Sequence, residues 1–365
     1  MTFNDVLEIK NGKNQRAVEN PNGKYPIYGS GGIIGRADDY ICSADTVIIG
    51  RKGSINQPIY VEEPFWNVDT AFGLQAKKDV LLPKYLYYFC VNYDFERHNK
   101  AVTIPSLTKF DLLKIEINLP TLKAQQKVVD LLSEVENIIE LRKTELQKLT
   151  EIKSARFVEM FGDPENNPRG WDTRTIGDVI TKIEAGWSGN GIQREKAEGE
   201  IAVLKVSAVT KGYFVPRECK VLDDQDNIKK MVCPENGDLI FSRANTRELV
   251  GATAIIDKDY PEYILSDKLW KIQFNDLVNV YYMKAVLSST SIRSKFSESS
   301  TGTSGSMFNV SMEKFKSVRI PIAPIEFQNQ YRDFVCAIDK SKAAVQKSLD
   351  ETQMLFDSLM QKYFG

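Results

Sequence analysis

Hydrophobic spacing along this chain alternates between two textures. Over residues 1–118 and again over 171–319, apolar residues come in short runs such as Thr46-Val47-Ile48-Ile49, Ile201-Ala202-Val203-Leu204 and Asp238-Leu239-Ile240-Phe241. Glycine, proline and asparagine punctuate them, as in Tyr28-Gly29-Ser30-Gly31-Gly32. Such runs predict strands and turns, with a few helices, among them 279–289. From Pro120 and from Pro324 the texture becomes helical and almost free of glycine. In the first such stretch Val128, Leu131, Leu132, Val135, Ile138, Ile139, Leu146, Leu149 and Ile152 recur every three or four positions, and Gly162 with Pro164 supplies a stop. Phe334, Val335, Ile338, Val345, Leu349, Leu355 and Leu359 do the same in the second. Each stretch predicts a helix of about 40 residues, roughly 60 Å long.

The two helical stretches are copies. Residues 101–162 align with 304–365 without a gap at an offset of 203, which carries Asp130 onto Asp333, Leu146 onto Leu349 and Met160-Phe161-Gly162 onto Tyr363-Phe364-Gly365. Earlier parts match at smaller offsets: Phe3-Asn4-Asp5-Val6 parallels Ile176-Gly177-Asp178-Val179, and Ile41-Cys42 through Arg51 parallels Val232-Cys233 through Arg243. The chain therefore reads as one unit written twice, 1–162 and 163–365, with loop insertions in the second copy.

Geometry then suggests a topology. A ~60 Å helix overhangs a head of this size, whose diameter is nearer 30–40 Å, and long helices with narrow apolar seams pair with each other. The expected seam consists of Val128, Leu132, Val135, Ile139, Leu146, Leu149 and Ile152 against Ile338, Val345, Leu349, Leu355 and Leu359. Residues 163–170 span at most ~28 Å, which puts the second head at the far end of the first helix. The expected fold class is α+β: a tandem repeat of a mixed, β-rich globular domain followed by a long α-helix. The helices form an antiparallel coiled coil, giving a pseudo-two-fold dumbbell. Its parts are head 1–118, helix 119–162, head 163–319 (with linker 163–170) and helix 320–365.

Composition adds mainly exclusions. With 42% hydrophobic and 27% charged residues among 365, the chain has ample material for cores, and disorder is not its dominant state. No apolar run reaches the roughly 18–20 residues of a membrane span, and Met1-Thr2-Phe3-Asn4-Asp5 lacks the features of an export signal. Five scattered cysteines (Cys42, Cys90, Cys219, Cys233 and Cys336) form no C-x-x-C pair, and His98 is the single histidine. Neither a disulfide scaffold nor a zinc site is expected, and free thiols fit a reducing cytoplasm.

Two related, non-identical heads on a stiff spacer form a ruler for a polymer with two binding positions, and pseudo-two-fold symmetry matches the dyad of duplex DNA. Pro120 with Gln125-Gln126, opening a long helix and repeated near Pro324 with Gln328, resembles the conserved helices of type I restriction–modification specificity subunits. The segment Gly237-Asp238-Leu239-Ile240-Phe241-Ser242-Arg243 and the Ile176-Gly177-Asp178-Val179 that follows Trp171 resemble their target-recognition domains. Unit 1 departs from this pattern, having Asp45-Thr46 where unit 2 has Gly237-Asp238. The resemblance implies a non-catalytic subunit that reads an asymmetric bipartite site in double-stranded DNA, one half per head. It also implies assembly with two methyltransferase subunits, which bring S-adenosylmethionine, and with two restriction subunits, which bring ATP and Mg. No cofactor and no membrane is expected for this chain itself.

Charge neither advertises nor opposes this. The net charge is -1, and basic and acidic residues balance within each head and each helix, so local loops must supply the contacts. Base edges are read by Arg, Lys, Asn and Gln carried on loops. The candidates in the first head are Lys13, Asn14, Gln15 and Arg16, and Arg51, Lys52, Ser54, Asn56 and Gln57. In the second they are Asn190, Gln193 and Arg194, and Ser242, Arg243, Asn245, Thr246 and Arg247, with Thr303 and Ser304 in a glycine–serine run suited to phosphates. Arg51 and Arg243 occupy paired positions of the repeat.

Enzyme signatures are weak. Gly50-Arg51-Lys52-Gly53-Ser54 lacks the Gly-Lys-Ser/Thr of a phosphate-binding loop, and Gly29-Ser30-Gly31-Gly32-Ile33-Ile34-Gly35 misses G-x-G-x-x-G by one position. No Asn/Asp-Pro-Pro-Tyr/Phe segment occurs, and Glu151-Ile152-Lys153 lies within a helix where alternating charge is ordinary. One other reading stays open: a coiled-coil scaffold whose heads bind proteins.

Overall fold

The short apolar runs form strands, and the glycine-poor stretches form two helices of 40 residues each. The computed structural model describes residues 1–99, 103–298 and 308–365. Cα proximity groups Met1–Glu145 with Val345–Gly365 as unit 1 and Leu146–Ala344 as unit 2.

Unit 1 contains strands β1 (Leu7–Asn11), β2 (Tyr25–Gly29), β3 (Gly32–Ala37), β4 (Thr46–Gly50), β5 (Ile59–Val61), β6 (Trp66–Asn67) and β7 (Ala71–Ala76). Its helices are α1 (Phe3–Val6), α2 (Pro83–Asn92), α3 (Lys109–Leu112) and the first part of α4 (Leu122–Phe161). One antiparallel sheet has the order β1-β7-β4-β5, and a smaller one the order β3-β2-β6 with β2 and β6 parallel. Alternation is lost in β4, every residue of which is buried. Helix α2 covers one face of it, while Cys42, Val61, Phe65 and Ala71 pack around Ile48 on the other.

Unit 2 repeats this plan with insertions. It contains β8 (Thr173–Thr175), β9 (Ile180–Ala185), β10 (Gly191–Ile192), β11 (Ala202–Leu204), β12 (Cys219–Leu222), β13 (Leu239–Ser242), β14 (Ala244–Asn245), β15 (Thr253–Ile255), β16 (Tyr263–Leu265), β17 (Leu269–Phe274), β18 (Phe308–Asn309) and β19 (Arg319–Pro321). Its helices are α5 (Ile176–Val179), α6 (Val280–Ser288), α7 (Thr290–Glu298), α8 (Met312–Ser317) and the first part of α9 (Ile325–Phe364). The order β9-β17-β13-β15 matches β1-β7-β4-β5 strand for strand. The parallel pair β11 and β16, flanked by β12, matches β2 and β6 flanked by β3. The added β10 extends this smaller sheet.

Each long helix contributes to both units. In unit 1, Val128, Val129 and Leu132 from the start of α4 share a core with Met360 from the end of α9, and Phe356, Tyr363 and Phe364 pack against it. In unit 2, Phe157 and Phe161 from the end of α4 share a core with Tyr331 and Val335 from the start of α9. The Tyr331 hydroxyl donates to the Lys153 carbonyl at 3.3 Å, Lys342 Nζ donates to Thr150 Oγ1 at 2.8 Å, and Lys153 pairs with Asp339. Within each unit the start of one helix thus meets the end of the other, an antiparallel arrangement.

Of the expected seam, Val128, Leu132, Val135 and Ile139 are buried, and Leu146, Leu149, Ile338, Val345, Leu349 and Leu359 are half-buried. Ile152 and Leu355 are 44% and 51% exposed and do not belong to it. The 3.6-residue period carries the inward stripe from Leu149 to Lys153 and Phe157, and from Leu349 through Thr352 to Phe356, one position past each of them.

The glutamine of the repeated helix-opening motif has a mechanical role. Gln125 is fully buried; its Oε1 accepts from the Leu82 N–H at 2.8 Å, and its Nε2 donates to the Val80 and Pro120 carbonyls, each at 2.9 Å. Gln328 makes the same three bonds to the Asn279 N–H and the Leu277 and Ala323 carbonyls, at 2.9, 3.0 and 2.7 Å. Each amide pins the loop before α2 or α6 to the opening of its long helix and satisfies backbone groups that burial would otherwise leave unpaired.

Candidate nucleic-acid interface

Three loops converge at the same corner of each head. In unit 1 the Gly12 N–H donates to the Ala71 carbonyl at 3.3 Å, that of Lys13 to Asn67 at 2.9 Å and that of Arg51 to Thr70 at 2.8 Å. In unit 2 the Gly186 N–H donates to Leu269 at 3.3 Å, that of Trp187 to Leu265 at 2.9 Å and that of Arg243 to Lys268 at 3.0 Å. The loops leaving β1 and β4 therefore close on the segment ahead of β7, as those leaving β9 and β13 close on the segment ahead of β17. Glycine is required at the first position of each corner, because a Cβ on Gly12 would collide with the Val68 carbonyl and one on Gly186 with that of Leu265. Sequence reasoning passed over these glycines and the segments ahead of β7 and β17. The signal was present, since Gly12 follows Asp5-Val6 as Gly186 follows Asp178-Val179, with one extra residue in the second copy.

At the unit 1 corner, Lys13, Asn14 and Arg16 are exposed and Gln15 half-buried. Asn14 Oδ1 accepts from the Arg16 N–H at 2.9 Å, and the Trp66 indole donates to the Lys13 carbonyl at 3.0 Å. Arg51 and Lys52 are exposed, with the Arg51 guanidinium 5.7 Å from the centre of the Phe72 ring. Their loop is fixed by Gly53, at φ +83°, whose N–H donates to the Pro105 carbonyl at 3.0 Å, and by the buried Ile55. Ser54 is half-buried and Gln57 exposed. Asn56 is already engaged: its Nδ2 donates to Asp94 Oδ1 at 3.0 Å and its Oδ1 accepts from the Phe95 N–H at 2.8 Å.

The unit 2 candidates divide. Arg243 lies at the corner, its Nε donating to the Asp267 carbonyl at 3.0 Å. Ser188 reaches the same residue, its Oγ 2.5 Å from Asp267 Oδ1. Thr246 and Arg247 are exposed beyond it. Asn245 is half-buried, with Oδ1 accepting from the Thr246 N–H at 2.9 Å and Nδ2 buried without a partner. Ser242 does not fit the expectation: it is fully buried in β13, its hydroxyl donating to the Ala244 carbonyl at 3.4 Å, because both faces of that strand are covered and all four of its residues are buried. Arg194 is exposed but committed to Glu200 by a two-pronged contact of 2.7 and 2.6 Å, which with the Ala197 N–H holds the Glu200 carboxyl down to about 2. Asn190 and Gln193 are exposed. Thr303 and Ser304 lie outside the described residues.

Asp238, from the Gly-Asp-Leu run, has a structural role. It is buried, and it accepts from the Glu235 N–H at 2.7 Å and from Gln273 Nε2 at 2.8 Å while pairing with the equally buried Lys271 at 3.0 Å. No group of His, Cys, Asp and Glu that could hold a metal ion occurs among the described residues. No helix of the described residues is long and apolar enough to cross a membrane.

The family pattern described as the Type I restriction modification DNA specificity domain matches residues 1–151 and 168–352, one stretch per repeat, and the chain belongs to that family. The specificity subunit of the type I restriction enzyme EcoEI from Escherichia coli is 27% identical over 237 residues, covering 62% of this chain and 40% of that protein. The MjaIX specificity subunit from Methanocaldococcus jannaschii is 27% identical over 188 residues, covering 46% of this chain and 41% of that protein. The chain thus spans less than half the length of these two relatives. Among solved structures, the type I restriction–modification S subunit from M. genitalium superposes with a TM-score of 0.64 at 14% identity, covering 100% of this chain and 95% of that one. A chain from a structure addressing complex assembly and conformational transition of the type I system gives a TM-score of 0.57 at 16% identity, covering 100% and 96%. At these identities the likeness is one of fold.

Proposed function

We propose that this chain is a non-catalytic, cytoplasmic DNA-reading subunit that recognises an asymmetric bipartite site, one half through each repeat. On this reading it docks two methyltransferase subunits, which carry S-adenosylmethionine, and two restriction subunits, which use ATP and Mg. The observation that carries it is the repeated corner: Arg51 and Arg243 project from equivalent loops held by equivalent backbone bonds, in a chain of the specificity-domain family. Arginine is the commonest reader of a guanine edge, and a loop anchored at both ends holds it in place without further ordering cost. The sequences around the two arginines differ, which gives two different half-sites.

Methylome sequencing of a host carrying the chain with its methyltransferase partner tests this. A single methylated motif of two unlike halves separated by a fixed gap is expected. Unchanged methylation together with no retardation of duplex DNA by the assembled proteins favours the scaffold reading instead.

A further inference from the structure

The hairpin formed by β2 and β3 exposes apolar surface that the fold of unit 1 does not use. Pairing runs from Ile27 with Gly35 directly to Tyr28 with Ile33, which leaves Ile34 as an extra residue in β3. Strict alternation would send one of two neighbouring side chains inward. The bulge cancels that alternation, and Ile33 and Ile34 are 62% and 57% exposed side by side. A lone exposed isoleucine is ordinary, whereas a bulge that turns two outward together re-aims side chains at a surface.

The hairpin belongs to the unit 1 corner. Ser30 Oγ lies 3.7 Å from where a Cβ on Gly53 would stand, and the Val68 N–H donates to the Tyr28 carbonyl at 3.0 Å. The loops meeting there, residues 12–16, 28–34, 51–54 and 67–70, carry Lys13, Arg16, Arg51 and Lys52 against one acid, Asp69. None of these four cations forms a salt bridge among the described residues, although ion pairs such as Lys78 with Asp45 form elsewhere in the unit. A local excess of free cations in a chain of net charge -1 fits a polyanion. The corresponding connection of unit 2, between β11 and β12, also presents an apolar side chain, Tyr213, beside Lys211.

An apolar pair framed by cations matches one feature of duplex DNA, the thymine 5-methyl group, which projects into the major groove between phosphate rows. We infer that Ile33 and Ile34 are a specificity-determining pair that packs against thymine methyl groups in the half-site read by unit 1. This rests on the proposed DNA-reading function and adds to the arginine an apolar reader on a separate hairpin.

The test uses the chain assembled with its methyltransferase partner and duplexes bearing the methylated motif. Thymines in one half-site at a time are replaced by deoxyuridine, which removes the methyl and keeps the base pair. Wild-type binding should weaken about three- to tenfold per contacted thymine in the half-site that Arg51→Ala relaxes. The double variant Ile33→Ala with Ile34→Ala should bind the thymine duplex correspondingly more weakly and respond no further to deoxyuridine, while Ile33→Val with Ile34→Val keeps the response. Both side chains are exposed, so an unchanged melting temperature separates this effect from misfolding. Site-specific binding that ignores the methyl groups, or a double alanine variant with undiminished sensitivity to them, overturns the inference and leaves the DNA-reading function standing. Failure of the wild-type assembly to bind any duplex overturns both.

Discussion

Arg51 and Arg243 share one setting in the two repeats: the fold commits their backbone and leaves most of the guanidinium available. Arg51 is stacked near Phe72, and Arg243 is held only through Nε. Loss of a base-reading arginine costs about 1–3 kcal/mol of discrimination at the base it contacts. Arg51→Ala should therefore broaden one half of the methylated motif and Arg243→Ala the other, as methylome sequencing of each variant reads directly. Equal loss at both halves in either variant would mark the arginines as nonspecific phosphate contacts. Gln125 and Gln328 make the opposite case, since every polar atom of their amides is consumed internally. Gln125→Leu should lower unfolding free energy by about 1–3 kcal/mol, measured by urea titration, because it leaves three partly buried backbone groups without their partner. A loss below about 1 kcal/mol would mean that water replaces the amide.

Among the elements, α6 carries a lysine under strain. Burial, with the nearby cations Lys153 of α4 and Lys342 of α9, pushes Lys284 from its ordinary 10.5 down to about 8, and Asp339 offsets this only in part. Between pH 8 and 10.5 the unfolded chain holds more protons at this group than the folded one, so stability attributable to Lys284 rises with pH across that window, and the penalty is complete below pH 8. Lys284→Met should raise the unfolding free energy at pH 7 by an amount on the order of 1–2 kcal/mol, read by urea titration, and the advantage should shrink towards pH 10. An advantage that stays constant with pH would assign the gain to packing alone. The long helices permit a second test. Four residues inserted into each of α4 and α9 lengthen them by ~6 Å, and if they set the gap between half-sites, the preferred gap should widen by one or two base pairs at ~3.4 Å each. An unchanged gap would show that the helices do not set it.

These helices were legible because burial on one side imposes a 3.6-residue period, and the central strands because burial on both faces leaves short apolar runs such as those of β4 and β13. What was not legible lies where several segments meet. Ile152 and Leu355 fit a three-or-four spacing as well as Lys153 and Phe356 do, and only the facing helix decides which points inward. Ser242 reads as a polar loop residue until the last position of β13 places it in the core. Asn56 and Arg194 carry reader chemistry, yet their partners, Asp94 and Glu200, are brought to them by the fold. The glycines of the two corners were visible as a repeat, but their purpose required the carbonyls of Val68 and Leu265.

Across the whole molecule, neither half of the sequence encloses its own core. Unit 1 takes Met360 from the second half, and unit 2 takes Phe157 and Phe161 from the first. At the repeat offset, Phe157 stands in for Met360 and Phe161 for Phe364. A fragment of residues 1–162 therefore carries both an unfilled seat and a tail shaped to fill it, which two copies can satisfy by exchange. Sedimentation of that fragment should give a dimer, and a stable monomer would mean that the tail folds back on its own head. The same interchangeability bears on ancestry. On the proposed DNA-reading function, a gene broken within either long helix and rejoined to the other half of a related chain would pair old readers in a new combination, and so change the DNA target with no change in either reader's own residues.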